Sequence, residues 1–280
     1  MDKISFPNLG LEFMVNKIAF SIFGIDIAWY AIIITFGIIV AMMISYRNAK
    51  AMKLDTNLFM DVFFYMIIFG IIGARIYYVV FNFDLYRDDL LSVFNLREGG
   101  IAIYGAIIFG ALTVLIYTMI KKQKFLDYTD CIVPALAIAQ AIGRWGNFVN
   151  QEAYGYETNS LFAMTIMENG KFVTVHPTFL YESVLNIVIF IILMIFFNKF
   201  RKNSGEVTYL YGIFYGIGRF FIEGMRTDSL YLGIFRISQI VSLILVIAGT
   251  VLFIYSRFYK KQIKNSPLSW GLFFCIKVII

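Results

Sequence analysis

Seven stretches of this 280-residue chain are apolar over roughly twenty residues each, the length an α-helix needs to cross the ~30 Å hydrocarbon core of a bilayer. They run over residues 25–46, 58–81, 99–120, 129–149, 177–198, 207–225 and 237–255. Lipid offers no partner for backbone N–H and C=O groups, so a spanning segment must bond them internally, as a helix does. The expectation is an all-α polytopic membrane protein with about seven transmembrane helices. With 60% hydrophobic and 15% charged residues and a mean hydropathy of +0.77, a soluble domain is excluded. Residues 1–24 hold no window long and clean enough to span, and read as an interfacial segment. Residues 1–264 read as one integral-membrane domain, and 265–280 as an apolar tail too short to cross. The first span runs into Arg47 and Lys50 with no small-residue cleavage site after it, so it reads as a retained anchor.

The net charge of +6 would suit a nucleic-acid binder, but the basic residues cluster in short segments between the apolar runs, which is a topology signal. Nucleic acid is therefore not an expected partner. The segments after spans one, three, five and seven hold thirteen Lys and Arg residues, set against Lys3, Lys17, Arg87, Arg97, Lys171 and Arg226 on the other side. This bias places the N-terminus outside and the C-terminus in the cytoplasm. Cys131 and Cys275 both lie in apolar surroundings far apart, and read as small buried hydrophobes rather than a disulfide or metal pair.

One short stretch breaks the pattern. Gly143 to Gly155 reads GRWGNFVNQEAYG and places Arg144, Asn147, Asn150 and Glu152 straight after an apolar run. Such groups are costly in a bilayer and mark function. Arg144 could instead snorkel to headgroups, but two amides, a carboxylate and flanking glycines supply the donors and acceptor that a phosphate ester or polyol needs. In span six, Tyr215, Arg219, Glu223 and Arg226 follow spacings of four, four and three, which puts them on one helical face. A self-neutralising Arg219–Glu223 pair is the structural alternative, yet Arg226 adds a further charge worth roughly 2.5 to 3.5 kcal/mol on insertion scales. Gly212 and Gly216 on that helix read as a helix-packing pair.

Other polar residues have plainer readings. Arg75 reads as a partner for Asp61 or a snorkelling helix-end residue. His176, the single histidine, cannot belong to a multi-histidine metal site and reads equally as a cap or as chemistry. Asp26, Trp29 and Tyr30 read as interfacial anchors, with Tyr30 on the same outer leaflet as the motif. There is no GxSxG, HExxH, P-loop or GxGxxG, and no tight acidic cluster for paired divalent ions. Arginines with neutral polar partners suggest a lipid phosphate handled without metal or cofactor.

The stretch 143–155 resembles, at nearly every fixed position, the signature of the bacterial prolipoprotein diacylglyceryl transferases. Similar matches follow in order: Trp29-Tyr30, GARIYYV from Gly73, Glu98 to Gly100, HPTFLYE from His176, YGIGRFFIEGMR from Tyr215, and Ile237-Ser238-Gln239. The resemblance implies transfer of diacylglyceryl from phosphatidylglycerol to the lipobox cysteine thiol of a prolipoprotein, giving a thioether and glycerol phosphate at the outer face of the bacterial cell membrane. It implies Arg144 and Arg219 as the phosphate clamp, Asn147, Asn150, Glu152 and Gly155 around the glycerol headgroup, Glu223 orienting Arg219, and Tyr30, Tyr215 and Arg226 lining the site. In one place the chain departs: Tyr104-Gly105-Ala106-Ile107 stands where the family often has His-Gly-Gly-Leu. A tyrosine with an unperturbed pKa near 10 is a poorer base than the histidine it replaces, so Tyr104 reads as a hydrogen-bonding group or the base lies elsewhere. A non-enzymatic lipid-binding or transport protein could use the same arginines, but the inverted repeats and broken helices that would mark it are absent from the sequence.

Overall fold

The computed structural model describes residues 2–87, 89–95, 99–168 and 170–259. Seven helices run in order: α1 (Trp29–Ala51), α2 (Thr56–Phe81), α3 (Ile103–Ile120), α4 (Phe125–Asn150), α5 (Thr178–Lys199), α6 (Glu206–Met225) and α7 (Ile237–Ile254). Six of these apolar helices are long enough to cross a membrane, with α7 running on to Phe258, so the chain is a multi-pass membrane protein. The exception is α6, whose stripe of Tyr215, Arg219 and Glu223 lowers its hydropathy. The tail 265–280 lies outside the described residues.

The described residues divide into two compact units, those up to 44 together with those from 132 onward, and those from 45 to 131, with the boundaries inside α1 and α4. In the smaller unit, α2 opens on Asp55, whose carboxylate accepts from the backbone N–H of Asn57 and Leu58 at 2.9 and 3.2 Å and so satisfies orphan donors of the first turn. Arg75 departs from both readings offered for it. It is 8% exposed, and its Nε, Nη1 and Nη2 donate to the carbonyls of Val93, Gly99, Gly100, Ser92 and Asn95 over 2.7–3.1 Å, with the Tyr86 ring at 5.2 Å. A guanidinium carries five donors, more than one carboxylate can satisfy, and an irregular loop has spare carbonyls. Asp61 accepts from the Tyr117 hydroxyl at 3.0 Å.

In the larger unit the N-terminal segment is folded rather than merely interfacial. Strands β1 (Asp2–Phe6) and β2 (Leu11–Val15) join β5 (Met164–Glu168) and β6 (Lys171–Val175) in an antiparallel sheet ordered β2-β1-β5-β6. Between them in sequence, β3 (Ile18–Ile22) and β4 (Ile25–Ala28) form a hairpin that runs straight into α1. Alternation explains the sheet: Ile4 and Phe6 point one way with Met164 and Ile166, and these pack with Val175 and Phe179 into a core that also touches Phe148 and Tyr154. The sheet is therefore seated on the last turn of α4, which carries part of the polar motif, and on the first turn of α5. A short hairpin, β7 (Tyr231–Leu232) with β8 (Phe235–Arg236), separates α6 from α7. Gly216 lets these last two helices close up: a Cβ there would lie 2.8 Å from the Ser242 carbonyl, consistent with the packing role expected of it.

Candidate active site

The C-terminal turns of α4 and α6 and the second turn of α5 bring three arginines onto one carboxylate. Glu182, 2% exposed, is 2.5 Å from Arg144 Nη2 through its Oε2, and 2.8 and 3.3 Å from Arg219 Nη1 and Arg226 Nη1 through its Oε1. A second buried acid, Glu223, faces Arg219 Nη2 at 2.5 Å, so the i,i+4 pair read from the sequence exists but is part of a larger array. Asp228, half-exposed, takes the other edge of Arg226, with Nε–Oδ1 at 2.9 Å and Nη2–Oδ2 at 2.7 Å. Three guanidinium groups thus face three carboxylates. In a low-dielectric site, removing any one would leave an uncompensated charge. The Arg144 side chain stays 23% exposed, Arg219 15% and Arg226 11%, so a ligand can still reach the cationic face.

The motif continues the array. Arg144 Nη1 donates to Asn147 Oδ1 at 3.2 Å, and the amides of Asn147 and Asn150 donate to Glu152 Oε1 at 2.9 and 3.3 Å. Arg144 is thereby fixed between Asn147 and Glu182, and Glu152 reaches solvent as an oriented, exposed carboxylate. Its neighbours Gln151 and Ala153 both have φ near the left-handed value, at 54° and 58°, a conformation that costs energy in residues with a Cβ and concentrates at functional sites. The Glu152 N–H still bonds the Asn147 carbonyl at 3.1 Å, and Thr178 Oγ1 donates to the Ala153 carbonyl, so the strained turn is held from both sides.

Gly155 contributes through its backbone. It bridges Arg226, its N–H donates to the His176 carbonyl at 2.9 Å, and the Tyr156 N–H donates to the Met225 carbonyl at 3.0 Å. A Cβ on Gly155 would sit 2.8 Å from both the Met225 carbonyl oxygen and the His176 Cβ. The glycine is what allows the motif's end, the start of α5 and the end of α6 to meet. Tyr30 lies with its ring against Gly146, where an added Cβ would be 2.5 Å from Cδ2, and within electrostatic range of Glu152 and Arg144. Tyr215 sits one turn before Arg219 and stacks on Tyr211 with centroids 5.5 Å apart. His176 Nδ1 is 3.3 Å from the Tyr181 hydroxyl. Tyr104 is the second residue of α3, in the smaller unit, with its ring 6.3 Å from that of Tyr77.

Three contributors escaped the sequence reading as site members. Glu182 was visible only as an acid inside an apolar span, which is itself a signal of a partner. Asp228 stands two residues past Arg226, beyond the end of span six. Arg236 was passed over; its Nη1 donates to the carbonyls of Glu223 and Arg226 (the latter at 3.2 Å) and to Ser229 Oγ at 3.2 Å, and its Nη2 to the Tyr156 hydroxyl at 2.6 Å. It pins the loop that carries Asp228. Burial alone would raise the Asp228 carboxyl, but the hydrogen bond and charge of Arg226 outweigh it and hold the group below the usual carboxylate range. Nearby, burial and the hydrogen bond to Glu168 push the Tyr154 hydroxyl up to about 12. Among the described residues no group of three His, Cys, Asp or Glu side chains is placed to hold a metal ion. The arrangement suits binding an anion by guanidinium forks, with neutral amides and a carboxylate alongside for hydroxyl groups.

Residues 17–255 match the family model described as prolipoprotein diacylglyceryl transferase. The chain is 47% identical over 252 residues to the phosphatidylglycerol–prolipoprotein diacylglyceryl transferase of Finegoldia magna, covering 90% of this chain and 99% of that protein. Proteins of the same name from Clostridioides difficile and Clostridium novyi are 46% and 44% identical, over 90% and 89% of this chain and 98% of each relative.

Proposed function

As the chain belongs to the prolipoprotein diacylglyceryl transferase family, we propose that it transfers the diacylglyceryl group of phosphatidylglycerol to a prolipoprotein, and that the arginine array on Glu182 is where the phosphate is held. The acceptor is the lipobox cysteine. Its sulfur attacks the diacylglyceryl carbon bonded to the phosphate oxygen; the C–O bond breaks, the C–S thioether forms, and glycerol phosphate leaves with the bonding pair. The thiol proton passes to water or to the departing phosphate, and a cationic environment favours thiolate from a group whose free pKa is near 8.5. As the C–O bond breaks, charge builds on the leaving phosphate, and donors already fixed in place stabilise it without reorganisation.

Arg144 and Arg219 form the clamp. Each is anchored by a buried carboxylate and retains an accessible face. Asn147, Asn150 and Glu152 hold the hydroxyls of the glycerol headgroup, Gly155 and Glu223 keep Arg226 and Arg219 in place, and Tyr30 and Tyr215 line the approach. Tyr104 serves as a hydrogen-bonding group rather than a general base. The basic bias of the segments after spans one, three, five and seven supports an outer-face site in the bacterial cell membrane. The observation that carries the reading is the convergence of three arginines from two helix ends onto one carboxylate beside the amide pair. The test is to incubate the purified full-length protein with phosphatidylglycerol vesicles and a lipobox peptide. Joint appearance of glycerol phosphate and a diacylglyceryl thioether is expected. A transporter or lipid-binding protein would yield neither, and another headgroup transferase would release a different product.

A further inference from the structure

The three acids of the array are not equivalent. Glu182 and Glu223 are 2% exposed, so neither can swing into solvent, whereas the Asp228 side chain is 49% exposed. Asp228 occupies the Nε/Nη2 edge of Arg226, the two-donor face on which a guanidinium binds a carboxylate or phosphate bidentately. The remaining nitrogen, Nη1, is already committed to Glu182. Asp228 and a phosphodiester present the same thing to that edge: one negative charge spread over two terminal oxygens.

We propose that Asp228 is a built-in competitor for the phosphate site, closing the outer edge of Arg226 in the empty protein and giving it up to the lipid phosphate when substrate enters. The proposal rests on the phosphate-binding reading above and assigns the third arginine its anion. It also explains charge balance: the empty array is neutral, and displacing an exposed carboxylate admits a phosphate without leaving four anions on three cations. The backbone permits the exchange. Arg226 and Thr227 are tied by the Gly155 bridge, by the Thr227 N–H to Tyr154 carbonyl bond at 3.5 Å and by Arg236, so the Asp228 side chain can turn outward while the backbone before it stays fixed. Selectivity against lipids without a phosphate follows, because a diacylglycerol or an uncharged glycolipid has no anion with which to displace the carboxylate.

The test compares wild type with Asp228→Asn and Asp228→Glu, using glycerol phosphate as the binding probe for the detergent-solubilised full-length chain and phosphatidylglycerol vesicles with a lipobox peptide for turnover. Asp228→Asn should bind glycerol phosphate roughly threefold to tenfold more tightly, the range expected when a half-exposed bidentate ion pair no longer competes. It should lower KM for phosphatidylglycerol by a similar factor. Asp228→Glu should return both values toward wild type. If Asp228 only supports the loop, Asp228→Asn will bind no more tightly or will raise KM, and the proposal is overturned. Should wild type turn over phosphatidylglycerol while Asp228→Asn leaves both constants unchanged, the competitor role fails and the transferase reading stands. If neither protein binds glycerol phosphate or turns over phosphatidylglycerol, both fall.

Discussion

Glu182 Oε1 lies 2.8 Å from Arg219 Nη1, joining α5 to α6 across 37 residues of sequence, and the same carboxylate also serves Arg144 and Arg226. One buried acid therefore sets the relative position of three cations. Breaking a buried pair by removing one partner costs about 3–5 kcal/mol, because the other charge stays buried. Glu182→Ala should melt markedly lower in detergent and lose transfer. Glu182→Gln, which keeps the shape and one acceptor, should fold better yet remain deficient in turnover. A Glu182→Ala protein with wild-type melting and activity would remove Glu182 from the centre of the site.

Arg144 serves two acceptors at once, Asn147 Oδ1 and Glu182 Oε2. Lysine keeps the charge but offers a compact ammonium rather than a planar fork. Arg144→Lys should thus fall well short of wild type, and Arg144→Ala should lose about 100-fold or more in kcat, the scale seen when one fixed donor to a developing oxyanion is removed. Rates for the two variants on phosphatidylglycerol vesicles decide the matter. Lysine restoring full turnover would mean that charge alone suffices.

Two glycines give contrasting expectations. Gly155→Ala would place a methyl 2.8 Å from the Met225 carbonyl and from His176 Cβ, forcing apart the segments that fix Arg226. Overpacking of this kind costs about 1–3 kcal/mol, and transfer should fall with it. Gly212→Ala meets only the Leu245 carbonyl at 3.7 Å and should behave as wild type. Equal effects at the two positions would contradict the account of Gly155.

The Arg75 fork holds five carbonyls of the α2–α3 connection. An ammonium has at most three donors, so Arg75→Lys should fail to restore the loop. Limited proteolysis near Val93 and Asn95 is the measurement, with faster cleavage expected in both Arg75→Ala and Arg75→Lys. A lysine variant as resistant as wild type would show that charge, not the fork, orders the connection.

The depressed carboxyl of Asp228 gives stability a defined acid dependence. A group whose folded pKa lies below its unfolded value near 3.9 stabilises fully above that value, and the contribution disappears as pH falls through the folded pKa. Melting temperatures of wild type should therefore drop more steeply below pH 4 than those of Asp228→Asn. Parallel acid limbs for the two proteins would show that the Arg226 pair contributes nothing to folding.

What the chain disclosed in advance follows the physics of distance. The spans were legible because lipid imposes a simple length and polarity rule, and six of the seven segments meet it in the folded protein. The motif was legible because Arg144, Asn147, Asn150 and Glu152 interact within a few residues of one another. Glu182 was not, since its partners lie 37 to 44 residues away and only the packing of α4, α5 and α6 brings them in. Arg75 reads from the sequence as a partner for Asp61 or a snorkelling residue, whereas its acceptors are backbone carbonyls, which carry no residue signature. The N-terminal strands are hidden by the same bias: a greasy chain directs attention to span length, and the alternation of Ile4 and Phe6 is too short to register against it.

The polarity of α6 has a consequence for how the protein is made. With Arg219 and Glu223 in its C-terminal half, this helix has the weakest claim of the seven to enter lipid by itself. The carboxylate that compensates Arg219 from outside the helix belongs to α5, which precedes it by a short turn. Leaving the translocon as a hairpin would let the two helices bury their charges together, so the Arg219–Glu182 contact would also serve as the ticket of entry into the membrane.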